Sequence, residues 1–119
     1  MESYKVVRPE HLNHFGYLFG GFTLMWVDEI SWIAASRDYP GCSFVTVSMD
    51  KVEFRRGVHQ GTVLRFVARE SSQGNTSVEY EVQVFADDLE TGAEEAIFQT
   101  HIRFVCLDAA GKKTPLPRG

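Results

Sequence analysis

An α+β fold, with one antiparallel sheet curled around a single long helix, is what this chain of 119 residues predicts. Three observations carry that reading. The stretch from Phe19 to Ser36 reads as a helix that is apolar on nearly every side, the mark of a helix meant to be buried. From Ser43 onward the pattern changes to period two in segments rich in β-branched residues, a strand signal. Short turn-forming connections separate those segments, which suits antiparallel neighbours.

The elements follow in order. Residues 3–8 read as a short strand ended by Pro9, and 9–18 as a loop rich in turn formers. The helix runs from about Gly20 to about Arg37. Pro40 disfavours helix at Tyr39, and Gly41 supplies the turn that ends it. Residues 43–55 and 62–70 read as strands joined by the turn Gly57–Gly61. A polar connection, 71–75, lets Gly74 take a positive φ. Residues 76–86 form the cleanest strand, with Val78, Tyr80, Val82 and Val84 on one face and Glu79, Glu81 and Gln83 on the other. An acidic loop, 87–92, leads to the last strand, 96–107, and 108–119 reads as turn and tail. The four later strands are expected to form a meander in chain order. The helix is apolar on more sides than one sheet face can cover, so a second copy is expected over the rest.

Bulk properties narrow the function. The length predicts one domain spanning 1–119 with room for a real core. A hydrophobic fraction of 44% excludes a disordered chain. A net charge of −4 gives no general pull toward nucleic acid or an anionic membrane. Cys42 and Cys106 lie far apart without CxxC spacing, so they read as two free thiols, not a metal site or a disulfide framework. No basic region followed by an apolar run opens the chain, so no secretory signal is expected. Asp28 and Glu29 make the helix too polar to cross a membrane. A soluble cytoplasmic protein is the default expectation.

Asp28 is the sharpest feature. A carboxylate carried into an oily helix is costly unless it is paired or used. It reads as a general base or nucleophile, or more plainly as an acid bonded to a neighbouring hydroxyl. Gly20 and Gly21 start the same helix, so their N–H groups lack intrahelical partners, and no side chain blocks an approaching carbonyl. The positive end of the helix favours developing negative charge. These two residues read as an oxyanion hole, Gly21 the stronger candidate, or else as a tight packing turn. Asn13 offers an amide able to orient water or steady a carbonyl oxygen. Arg55, Arg56 and the turn from Gly57 form the best local cluster for phosphates. Thr76 and Ser77 add hydroxyls at a strand start. His11, His14, His59 and His101 show no metal spacing.

These residues together resemble the acyl-CoA thioesterases (acyl-CoA hydrolases) of the hotdog fold. The resemblance rests on Pro9-Glu-His-Leu-Asn13, Gly16, Phe19-Gly-Gly21, Trp26-Val-Asp28, Val52-Glu-Phe54, Arg56-Gly-Val-His-Gln-Gly61, Gly74-Asn-Thr-Ser-Val78 and Phe104-Val105 through Leu116-Pro117. It covers nearly the whole chain in order. It departs from the pattern at Gly57, where the family usually carries Pro, and at Thr62, where it usually carries Asp. Both departures bear on the stiffness of the nucleotide-contacting turn. The resemblance implies hydrolysis of acyl-CoA to a free acid and coenzyme A, with no metal and no cofactor beyond the coenzyme A of the substrate. It implies catalytic roles for Asn13, Gly21 and Asp28, and substrate contacts at Gly20, Arg55, Arg56, Gly57, Thr76 and Ser77. It further implies a site straddling a homodimer, with dimers free to pair into tetramers or hexamers. Two alternatives stay open: a non-catalytic acyl-CoA-binding module, and a thioesterase specialised for aryl-CoA or another acyl group.

Overall fold

The computed structural model describes residues 1–117. Five strands and one long helix follow in the order β1 (Glu2–Val6), a turn of 3-10 helix (Pro9–His11), α1 (Gly20–Asp38), β2 (Ser43–Phe54), β3 (Val63–Gln73), β4 (Ser77–Asp87) and β5 (Glu94–Leu107). The strands form one antiparallel sheet in the spatial order β1-β3-β4-β5-β2. The helix lies on its inner face.

Alternation in β4 sets that face. Val78, Tyr80, Val82, Val84 and Ala86 are buried, and the residues between them are half-exposed. Against them α1 lays Trp26, Val27, Ile30, Ala34 and Ala35. Three hydroxyl residues, Thr23, Ser31 and Thr100, are buried in this core. Ser31 stays satisfied by donating to the carbonyl of Val27 at 2.6 Å, a bond that lets a polar side chain sit inside an apolar layer.

The expected meander is corrected. β3, β4 and β5 run side by side, but β2 pairs with β5 and leaves β3 to β1. Alternation fixes which face a strand buries and says nothing about which edge it joins. The eight residues from Arg55 to Thr62 carry the chain from one edge across the end of the sheet. Buried Val58 pins that crossing, its carbonyl accepting from the Leu18 N–H at 2.8 Å. Register shifts at residue 47 and around 51–52 bend β2, the edge strand beside the helix.

Two further expectations change. Cys42 and Cys106 form a disulfide, with Cα atoms 5.2 Å apart, because the β2–β5 pairing sets Phe44 opposite Cys106 and brings Cys42 alongside. The C-terminal segment is no loose tail. Thr114 donates to the Cys106 carbonyl, Leu116 donates to the Asn75 carbonyl, and the Leu116 side chain joins the core. Among the described residues, no helix is long and apolar enough to cross a membrane.

Candidate functional site

Asn13 is fixed by its own loop. Its N–H donates to the Tyr17 carbonyl at 2.7 Å, and its Oδ1 accepts from the N–H groups of Phe15 (2.9 Å) and Tyr17 (3.1 Å). Gly16, at φ 85°, makes that tight return possible. With Oδ1 occupied, the side chain presents Nδ2, which makes no hydrogen bond among the described residues. What Asn13 offers to a neighbour is therefore a donor.

The same loop delivers the helix start. Phe19 donates to the His11 carbonyl at 2.8 Å, and α1 begins at the next residue. No side chain caps this end, and its first turn carries no acid. The N–H groups of Gly20 and Gly21 have no acceptor among the described residues, so the positive end of α1 is open. A Cβ on Gly20 would stand 3.2 Å from the Phe54 ring, and one on Gly21 would stand 2.5 Å from the Phe19 ring. A side chain at either position would have to displace one of these exposed rings.

Asn13, Gly20, Phe54, Arg55, Arg56, Gly57 and His59 line one open cleft of about 610 Å³. The sequence-derived phosphate cluster thus reaches the same place as Asn13 and the helix start. Its cations are already engaged: Arg56 lies 2.6 Å from Glu95, and Arg55 reaches Glu53 (3.4 Å) and Gln99 (3.3 Å). An incoming phosphate would compete with carboxylates that are themselves exposed.

Asp28 sits elsewhere on the helix and is half-exposed, which corrects the expectation of burial. The cause is the open face of α1. Gly21, Met25, Asp28, Glu29 and Trp32 share a side that the chain's own sheet leaves uncovered. Asp28 Oδ1 accepts from the Thr46 hydroxyl at 2.6 Å. Thr46 was not singled out in the sequence. It lies 18 residues away on β2, and only the β2–helix packing brings it near. Seven residues of helix separate Asp28 from Gly21, a rise of about 10 Å, so one copy does not bring both to one small group.

Thr76 and Ser77 are not brought to the cleft within one chain. Ser77 is registered against Val105, whereas Phe54 of the cleft is registered against Phe98, roughly 23 Å along β5 at the usual strand rise. Ser77 Oγ instead accepts from Arg103 at 3.0 Å, and the Thr76 carbonyl accepts from the Cys106 N–H.

Comparison with known proteins places this arrangement. The family model described as thioesterase superfamily matches residues 15–93. A Bacillus subtilis protein named as an uncharacterized acyl-CoA thioester hydrolase is 34% identical over 112 residues, 94% of this chain and 64% of its own length. The present chain thus spans just under two thirds of that relative. The human cytosolic acyl coenzyme A thioester hydrolase is 28% identical over 115 residues, 95% of this chain and 30% of the human one. Among solved structures, an acyl-CoA hydrolase from Staphylococcus aureus, crystallised with butyryl coenzyme A and coenzyme A, aligns with a TM-score of 0.91 at 32% identity, over 98% of this chain and 71% of that one. Its structure has also been solved with alanine replacing an asparagine, an aspartate or a threonine. A hexameric hotdog-fold thioesterase of Campylobacter jejuni gives a TM-score of 0.86 at 31% identity, over 97% and 88% of the two chains. The sheet wrapped on one helix is the hotdog fold.

Proposed function

This chain belongs to the thioesterase superfamily, and we propose that it is an acyl-CoA thioesterase acting at a site shared by two copies. The observation that carries the reading is one cleft in which the free Asn13 amide and the open Gly20 helix end lie beside the Arg55–Gly57 turn. Donors for a developing oxyanion and cations for phosphates are what an acyl-CoA demands.

The chemistry divides among the residues as follows. The thioester oxygen accepts from the Gly21 N–H, and Asn13 Nδ2 donates either to that oxygen or to the attacking water. Asp28, held by Thr46, serves as base or nucleophile. As base it takes a proton from water, whose oxygen adds to the carbonyl carbon. As nucleophile it adds directly, and water opens the resulting anhydride. In both routes the C–S bond breaks and sulfur leaves as the thiolate of coenzyme A. No metal or redox cofactor enters either route.

The distance along the helix supports a shared site, because Asp28 of one copy then meets Asn13 and Gly21 of the other. The uncovered face of α1 and the exposed apolar edge of β2, with Val45, Val47 and Val52, support the same pairing. Hexameric relatives make assembly beyond a dimer reasonable for this chain too. Thr76 and Ser77 are assigned to substrate contact only through such assembly. Relatives named cytosolic support a cytoplasmic location for this chain.

A panel of acyl- and aryl-CoA substrates, with released thiol followed by a chromogenic disulfide reagent, tests the reading and names the acyl preference. Thiol release from at least one of them is the expected result. Tight coenzyme A binding with release from none would instead mark an acyl-CoA-binding module.

A further inference from the structure

Tyr17 joins the two halves of the cleft through different parts of itself. Its backbone belongs to the Asn13 loop: the carbonyl accepts from Asn13 N–H, and the N–H donates to Asn13 Oδ1. Its ring belongs to the opposite wall. The ring lies over Gly57, where a Cβ would stand 2.7 Å from Tyr17 Cδ1, and its centroid is 4.9 Å from that of the His59 imidazole. The next residue, Leu18, donates to the Val58 carbonyl at 2.8 Å, so the two segments are also bonded through their backbones.

Gly57 is explained by this ring alone. Among the described residues five glycines adopt a positive φ and Gly57 is not among them, so its backbone would admit a side chain. The obstacle is space, and the space is filled by Tyr17. The phenol makes no hydrogen bond among the described residues and the residue is 40% exposed. Among the described residues, the ring contact of Tyr17 is with the His59 imidazole of that turn.

We infer that Tyr17 is a positioning residue that references the Asn13 amide to the Arg55–His59 turn, so that binding of the nucleotide end of the substrate is felt at the thioester. The inference rests on the thioesterase reading above. Binding energy from a remote part of a substrate raises kcat only when some element transmits it to the reacting group. Tyr17 is that element: a turn gripped by phosphates fixes the ring, the ring fixes the loop, and the loop fixes Nδ2.

The test compares kcat for a short-chain acyl-CoA with kcat for the matching acyl-pantetheine, which lacks the nucleotide. The ratio is internal to each variant, so partial loss of folded protein cancels. The parent chain is expected to favour acyl-CoA. Tyr17→Ala is expected to lower the ratio about tenfold, within the coupling range of contacting residues, and Tyr17→Phe, which keeps the ring, to preserve it. Gly57→Ala, which must push the ring aside, is expected to reproduce the fall and to add nothing in the Tyr17→Ala background. An unchanged ratio in Tyr17→Ala, or additive effects of the two substitutions, overturns the coupling while leaving the thioesterase reading intact. A parent chain that hydrolyses neither substrate overturns both.

Discussion

Thr46→Val removes the 2.6 Å hydrogen bond that holds Asp28 Oδ1 and changes little else, since Thr46 is exposed in the single chain. A hydrogen bond to a charged group contributes about 1.5–3 kcal/mol, so kcat should fall roughly tenfold to a hundredfold while KM holds, read by steady-state kinetics. Asn13 needs a subtler change, because alanine would also release the loop. Asn13→Asp keeps the oxygen that accepts from Phe15 and Tyr17 and removes the donor. Coenzyme A binding by calorimetry should persist, and turnover should drop roughly a hundredfold, the scale of losing one oxyanion donor. At this scale the sequence was legible where chemistry and chain position coincide. Asp28 stands out because it interrupts an oily helix, and Gly20–Gly21 because a helix must start with unpaired N–H groups. Thr46 was invisible, since a threonine in a strand is ordinary and its partner lies on another element. The Asn13 reading was incomplete in a related way: which end of the amide is free depends on a loop closure that the residues from Asn13 to Tyr17 build only in three dimensions.

The helix and β4 were legible almost to their ends, because α1 carries its own stop at Pro40 and Gly41 and β4 alternates without a break; β3 instead runs on to Gln73, through residues that read as a connection, and Gly74 does not take the expected positive φ. Their arrangement was not. β2 and β3 are consecutive and separated by a turn, which reads as a hairpin, yet the segment between them crosses the sheet end instead. Once β2 lies beside β5, the cysteine pairing and the docking of Leu116 follow, and neither has a local signal. One inter-element bond makes a measurable claim. Tyr80, 1% exposed on β4, donates to Asp38 Oδ2 at the end of α1, at 2.5 Å. Burial, followed by the bond to Asp38 and its negative charge, pushes the Tyr80 hydroxyl well above the ordinary tyrosine range. In the unfolded chain that hydroxyl ionises near pH 10. Above that pH the unfolded state has released the proton and the native state still holds it, so stability falls as pH rises. Tyr80→Phe should cost about 1 kcal/mol at neutral pH and should flatten the decline above roughly pH 10, both read from urea unfolding across a pH series. Equal slopes for the two proteins would disprove the assignment.

At the scale of the whole molecule the question is whether one site needs two chains. The apolar excess of α1 pointed to a second copy from sequence alone, and the open face carrying Met25, Asp28 and Trp32 is its structural counterpart. Complementation decides the matter without disturbing the interface. Asp28→Asn and Asn13→Asp should each be nearly inactive alone, with loss of the base costing roughly a hundredfold or more. In a mixed dimer the Asn13 of the first variant meets the Asp28 of the second, so one site is intact and the other is doubly impaired. Equal amounts that exchange freely give half their dimers mixed, each with one working site of two, or about one quarter of parent activity by the symmetry of a two-fold pair. The recovery should appear on co-refolding or co-expression and should grow at the rate of subunit exchange when purified variants are mixed. Dimers that pair further into hexamers would leave the fraction unchanged, because in the proposed arrangement Asn13 and Asp28 of a site still come from one pair of chains. If Asn13 and Asp28 of a single chain served the same site, no mixture would exceed the sum of its inactive parts, and the shared-site reading would have to be abandoned.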